Sequence, residues 1–283
     1  MSATAAQVQE PLPKLSQAPL NVPRKRWTRF ILPTYTTLMI LYLASHIFVM
    51  ILYGFNDIPG DRQTPKFWGF TLSWWKNVFN IPGLPEAFKN SLIIAPISAA
   101  IATAVGALFG LALGRYRFRG IAVIGFIIFL AIAVPEIVLG SSLLSMFVMI
   151  QAPRGMGTIL LSHIGFSIAF VAVTVRARVQ GLDRNLEDAA QDLFATPIAA
   201  FFKVTLPLIA PAILAGFLLA FVLSLDDFVI TNFVAGQTNT FPLWVYGAQR
   251  IGIPPQVNVM GTILFGAGIV AALANIVATR RRK

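Results

Sequence analysis

Six long apolar runs constrain this chain more than any other feature. They occupy residues 30–54, 91–114, 121–150, 157–176, 211–235 and 259–279, and each supplies the roughly 20 residues that a helix needs to cross a hydrocarbon core of about 30 Å. Within lipid an unpaired backbone N–H or C=O costs several kcal/mol, so a spanning segment must be a helix or part of a closed barrel. Runs of this length without alternation exclude the barrel. The expected fold class is therefore an all-α membrane protein with six transmembrane helices. Composition agrees, since 57% of the 283 residues are hydrophobic and only 12% are charged, which an ordinary soluble domain does not show. The third run contains Pro135 and reads either as one kinked, tilted helix or as a helix with a broken outer half.

Lys and Arg orient the runs, because cytoplasmic flanks carry the excess. Sixteen of the 22 fall on one side, at the two termini and around Arg115, Arg117, Arg119, Arg176, Arg178, Arg184 and Lys203. The other six are Arg62, Lys66, Lys76, Lys89, Arg154 and Arg250. Both termini are thus expected in the cytoplasm. The net charge of +11 follows from this topology and does not indicate nucleic-acid binding. Residues 1–23 contain Pro and Gln without an apolar core, and read as a disordered cytoplasmic tail rather than a cleavable signal. Residues 24–283 read as one membrane domain. Cysteine is absent, which removes disulfides and thiolate metal sites.

Two loops carry further information. Residues 55–90 hold Trp68, Phe70, Trp74, Trp75 and Phe79, which read as an interfacial aromatic belt on the outer side. Residues 177–210, on the inner side, are too long for a simple connector and read as short helices. Asp183 or Asn185 can cap a segment that runs to Phe194 with an apolar stripe of Leu186, Ala189, Ala190 and Leu193. Thr196 can cap a second, with Pro197 at its first position, and Pro207 and Pro211 then return the chain to the membrane. Such a hairpin can seat in a groove on a partner protein or pack on itself against the membrane.

The order Asp188-Ala189-Ala190, three residues, Phe194, nine residues, then Val204-Thr205-Leu206-Pro207 resembles the "EAA" signature of binding-protein-dependent ABC importer permeases. That signature runs Glu-Ala-Ala, three residues, Gly, nine residues, an aliphatic residue, any residue, Leu-Pro. Asp188 stands where Glu is usual, with Glu187 one place earlier, and Phe194 stands where Gly is usual. Gly permits positive φ in the turn between the two short helices, whereas Phe adopts it only at a cost. Phe67 to Leu72, Lys89 to Leu92, Pro135 to Val138 and Ser224-Leu225-Asp226-Asp227-Phe228-Val229 resemble the second permease subunit of spermidine/putrescine importers.

The resemblance implies a type I importer permease fold in a bacterial inner membrane. It also implies coupling helices between helices four and five that dock on a cytoplasmic ABC ATPase dimer through Glu187, Asp188, Ala189, Ala190, Asp192, Phe194, Leu206 and Pro207. A sister permease and a periplasmic or lipid-anchored binding protein complete the assembly, with lipid around it. ATP and Mg belong to the ATPase, and this chain binds no cofactor or metal and catalyses no reaction. Importers of iron(III), thiamine and phosphonate share the architecture.

Of eleven Asp and Glu, Glu136, Asp226 and Asp227 fall inside the runs, where an isolated charge costs roughly 2.5 to 3.5 kcal/mol on insertion scales. At a rise of about 1.5 Å per residue, Glu136 and Asp226 lie roughly 22 Å from the cytoplasmic ends of their runs. All three acids thus share one depth, and carboxylates at one depth suit a cationic substrate. The alternative is structural: Asp226 or Asp227 caps a helix break, or pairs with Arg250 or with a partner residue. His46 and His163 read as buried, hydrogen-bonded histidines, Asn275 as an interhelical hydrogen bond, and Gly106, Gly110 and Gly114 as a close-packing face. No Walker A motif, Ser-His-Asp set or metal cluster is visible. A secondary transporter using the three acids is the remaining alternative, disfavoured by the absence of an inverted repeat.

Overall fold

A computed structural model describes residues 28–60, 62–183 and 185–280, with backbone alone for residues 28, 29, 271, 272 and 274–280. The expected tail at 1–23 and the Asn275 side chain lie outside the described residues. The described chain is helical. Its helices are α1 (Thr28–Tyr53), α2 (Ser73–Lys76), α3 (Leu84–Arg115), α4 (Ile121–Ala133), α5 (Glu136–Met149) and α6 (Met156–Gln180). After these come α7 (Asn185–Asp192), α8 (Pro197–Ala200), a π turn (Phe201–Thr205), α9 (Leu206–Asp226), α10 (Val229–Val234), α11 (Phe241–Gln249) and α12 (Gln256–Arg280). Among the described residues no β-strand forms, and Asn56 and Phe70 make an isolated bridge.

Four segments are long and apolar enough to cross a membrane: Phe30–Tyr53, Leu84–Arg115, Met156–Gln180 and Pro197–Asp226. The pair α4 and α5 makes a fifth if counted as one span. In α12 the apolar stretch is Gln256–Val270. The chain divides into two compact units after Met50. In the first, α1 presents exposed apolar side chains such as Phe30, Leu32, Ile40 and Leu43. His46 there is exposed, not buried as expected, and its ring faces the Tyr42 carbonyl at 2.9 Å.

In the second unit α3, α6 and α9 form the centre. The three glycines of α3 face α6 at a separation that admits no larger side chain. A Cβ on Gly106 would lie 2.7 Å from Val171 Cβ, one on Gly110 2.7 Å from the Ala172 carbonyl oxygen, and one on Gly114 2.7 Å from Val179 Cγ1. With little hydrophobic drive between helices in lipid, such close backbone approach supplies the dispersion contacts that hold them. Val171, Val175, Val179, Ile209 and Ala220 then form one buried cluster across α6 and α9. Ile94, Phe147, Ile159, Ile230 and Val234 form a second, which seats α5 and α10 against α3 and α6.

Proline and aspartate place the breaks. Run 121–150 is two helices at 106°, which resolves the open choice in favour of a broken helix. Pro135 has no N–H to continue the ladder and drives its predecessor out of the helical region, so Val134 (ψ 129°) and Pro135 (ψ 135°) are both extended. The fifth run begins and ends earlier than 211–235. Helix is continuous from Pro197 to Asp226, so Pro207 and Pro211 do not turn the chain. The wider π turn relaxes the ladder just before Pro207, where the Leu206 N–H bonds to the Phe201 carbonyl. The segment 55–90 also departs from a simple belt. Trp68, Phe70 and Phe79 are exposed, but Trp74 and Trp75 pack on Val78, Leu84, Val259 and Met260, and Trp74 Nε1 donates to the Asn56 carbonyl at 2.8 Å. Rings of this segment also pack on one another, since Phe55 stacks on both Phe70 and Trp75.

Candidate functional site

Phe233 of α10 lies close to where a Cβ on Gly140 of α5 would be, 2.6 Å from Phe233 Cδ2, so α5 packs on α10, the short helix that follows the break at Asp226 and Asp227. Glu136 opens α5 and is exposed; Asp226 closes α9 and is exposed. Beside Asp226 lies a cavity of about 340 Å³ walled by Phe228, Phe241, Tyr246 and Gln249. Phe228 and Tyr246 are in ring contact, with centroids 4.3 Å apart. Arg250 pairs with no acid among the described residues and lies over the Tyr246 ring.

Asp227 has a different setting from its neighbour. Its carboxylate is buried and accepts from the N–H groups of Ile230 (3.3 Å) and Thr231 (2.7 Å) and from Thr231 Oγ1 (2.6 Å). It therefore caps α10, as the structural alternative anticipates. It also contacts His163 Nε2 at 3.2 Å, while His163 Nδ1 lies 2.7 Å from Ser224 Oγ and Ser224 Oγ lies 2.8 Å from Ser98 Oγ. A Ser-His-Asp contact chain thus exists in space although none is visible in sequence. His163 is 1% exposed and Ser98 fully buried, so no substrate reaches it. Its work is to tie α3, α6, α9 and α10 together with every polar group satisfied.

The loop between α6 and α9 builds the hairpin that the caps announce. Asp183 Oδ1 accepts from the Asn185 N–H at 3.0 Å, and Thr196 Oγ1 accepts from the Ala199 N–H at 3.3 Å with Pro197 at the first position. The turn after α7 is made by Phe194 at φ +63°. Its N–H bonds to the Gln191 carbonyl and that of Ala195 to the Ala190 carbonyl, at 2.9 and 3.0 Å. These are the two bonds of a Schellman motif, with Phe194 in the left-handed position that glycine favours. The expected glycine turn is therefore kept without glycine, at a cost of about 1 to 2 kcal/mol. Phe194 is 98% and Leu193 80% exposed, and Leu186, Ile198 and Phe202 are also exposed.

Glu187, rather than Asp188, points inward. It joins Arg115 at the end of α3 and accepts from the Thr205 hydroxyl in the π turn. Asp188, Ala189, Asp192 and Pro207 are exposed, and Ala190 and Leu206 half-buried. Sequence reasoning missed Arg115, Thr205, Phe228, Tyr246 and Gln249 as site residues. Arg115 counted only toward topology, Phe228 entered only as part of the resembling run Ser224 to Val229, and Tyr246 and Gln249 follow the acidic pair at spacings that no short pattern captures.

The sequence of residues 102–280 matches the family model described as the binding-protein-dependent transport system inner membrane component. The putrescine transport system permease protein PotI of Escherichia coli K12 is 37% identical over 273 residues, covering 93% of this chain and 95% of the relative. The spermidine/putrescine transport system permease protein PotC of the same organism is 37% identical over 242 residues, covering 85% and 90%. In structure, a chain of a bacterial ABC transporter involved in the import of the acidic polysaccharide alginate superposes with a TM-score of 0.63 at 17% identity, over 90% of this chain and 98% of that one. At that identity the likeness concerns the fold, that of a type I importer permease. The chain belongs to the binding-protein-dependent ABC importer permeases, as a non-catalytic membrane subunit.

Proposed function

We propose that this chain is the second permease subunit of an ATP-driven polyamine importer and supplies half of the translocation path. The observation that carries the reading is the exposed Asp226 carboxylate at the end of α9, which lines a cavity walled by Phe228, Phe241 and Tyr246. The carbonyl end of α9 carries partial negative charge, which adds to the Asp226 carboxylate. Aromatic faces and carboxylates together recognise ammonium groups joined by methylene chains, since the rings attract the cations and cover the apolar links. Relatives at 37% identity are named for putrescine and spermidine, in keeping with this chemistry. Of the three acids, Asp226 and Glu136 line the path, and Asp227 holds its wall.

In this reading the chain crosses the inner membrane six times with both termini cytoplasmic. The bent α4 and α5 count as one crossing, because Arg115, Arg117 and Arg119 precede it and Arg154 follows it, which the charge rule sets on opposite sides. The α7–α8 hairpin docks on a cytoplasmic ATPase dimer through Asp188, Ala189, Ala190, Asp192 and Phe194. Glu187, Leu206 and Pro207 transmit its movement, since Glu187 joins the hairpin to α3 and to the π turn at the base of α9. ATP and Mg act on the ATPase, a sister permease supplies the other half of the path, and a binding protein delivers substrate from outside. ATP-driven closure of the ATPase dimer shifts the hairpin, and the cavity alternates between outward and inward access. The test is uptake of labelled putrescine by the assembled complex carrying Asp226→Asn with Glu136→Gln. Loss of charge-assisted contacts predicts a rise in KM of about tenfold or more with assembly intact; an unchanged KM contradicts the path assignment.

A further inference from the structure

Where the end of α3, the 116–120 connection, the start of α4 and the end of α6 converge, a cavity of about 340 Å³ is lined by Arg115, Arg117 and Arg176, with Tyr116, Val179 and Gln180. No carboxylate lines it. Arg115 is committed to Glu187. Arg176 is not so placed: its Nε is buried and has no hydrogen-bond partner among the described residues, and its guanidinium extends toward Gly125 of α4. Charge asymmetry across a membrane accounts for the number of arginines here, but not for Arg117 and Arg176 facing one cavity with no carboxylate among its described lining residues to neutralise them.

An anion from outside the chain would neutralise these two guanidinium groups. The guanidinium fork matches phosphate oxygens two at a time, a geometry that a lysine cannot reproduce. The cavity sits at the ends of the apolar helices Leu84–Arg115 and Met156–Gln180, which is the depth of phospholipid headgroups, and Leu113, Val179 and Leu182 offer an apolar wall to a chain descending from one. We propose that Arg117 and Arg176 bind a phosphate-ester anion, with an anionic phospholipid headgroup as the source that the placement favours. The bound anion adjoins the Arg115–Glu187 joint and stiffens the seat of the α7–α8 hairpin.

The experiment uses the assembled transporter in nanodiscs of mixed phosphatidylcholine and phosphatidylglycerol, released for native mass spectrometry, with retained lipid read directly. The wild-type complex is expected to retain phosphatidylglycerol in preference to phosphatidylcholine. Arg176→Gln loses that preference by about tenfold, and Arg176→Lys recovers only part of it. Added inorganic phosphate separates the sources: retention unchanged by phosphate assigns the site to lipid, and displacement by phosphate assigns the same site to a soluble phosphate ester. Should Arg176→Gln fail to assemble, Arg117→Gln, on the exposed connection, takes its place. Equal phosphatidylglycerol retention by wild type and by an assembled Arg176→Gln or Arg117→Gln complex overturns the proposal.

Discussion

Asp226 and Asp227 are adjacent in sequence and opposite in setting, the first exposed and the second with its side chain buried. Asp227 accepts from two backbone N–H groups and from Thr231, and contacts His163, so Asp227→Asn should destabilise the purified complex by about 1 to 3 kcal/mol, visible as a lower Tm. Asp226→Asn, at an exposed carboxylate outside that network, should leave Tm within error and reduce putrescine uptake. Equal Tm for the two variants would remove the distinction. Phe194 offers a second separation. Phe194→Gly and Phe194→Ala both delete a ring that projects fully from the hairpin, and only the glycine relieves the positive φ. Uptake should therefore fall in both, while thermal stability rises by about 1 kcal/mol in Phe194→Gly alone; full uptake by either variant would show that the ring makes no coupling contact.

At the scale of elements, α3 and α6 are held by three glycines at contact distance. Gly110→Leu places a branched side chain where even a Cβ meets the Ala172 carbonyl and Val175. It should cost at least about 1 to 3 kcal/mol and reduce the amount of complex recovered, whereas Gly157→Ala, in open space on α6, should not. This packing face was legible in sequence because its period matches one face of a helix, and the long apolar helices were legible because lipid demands their length. The breaks were harder to read. Pro135 marked its own, but the angle of 106° depends on α5 seating against α10. The π turn left no mark except Pro207, whose effect is absorbed by a wider turn rather than a bend. The network around His163 was invisible because its partners lie 61 to 68 residues away, beyond any search along one helix.

For the molecule as a whole, membrane residence follows from apolar length, and family from the match over residues 102–280. The proposed transport cycle needs a lever and a path, for which the candidates are a hairpin joined through Glu187 to α3 and to the π turn before α9 and the Asp226 carboxylate beside an aromatic-walled cavity. Asp188→Lys should uncouple these, reducing uptake several-fold while the complex still inserts and assembles; unimpaired uptake would remove Asp188 from the ATPase interface. The hairpin itself was legible from Asp183, Thr196 and Pro197, since caps are local. The inward turn of Glu187 was not, because Arg115 and Thr205 reach it from distant parts of the chain. The most direct measurement is ATP-dependent accumulation of labelled putrescine in proteoliposomes holding this chain with its sister permease and ATPase, driven by loaded binding protein. The account predicts accumulation that needs ATP hydrolysis and collapses with Asp226→Asn combined with Glu136→Gln. Accumulation without ATP, or ATP-driven turnover that no polyamine stimulates, would contradict it.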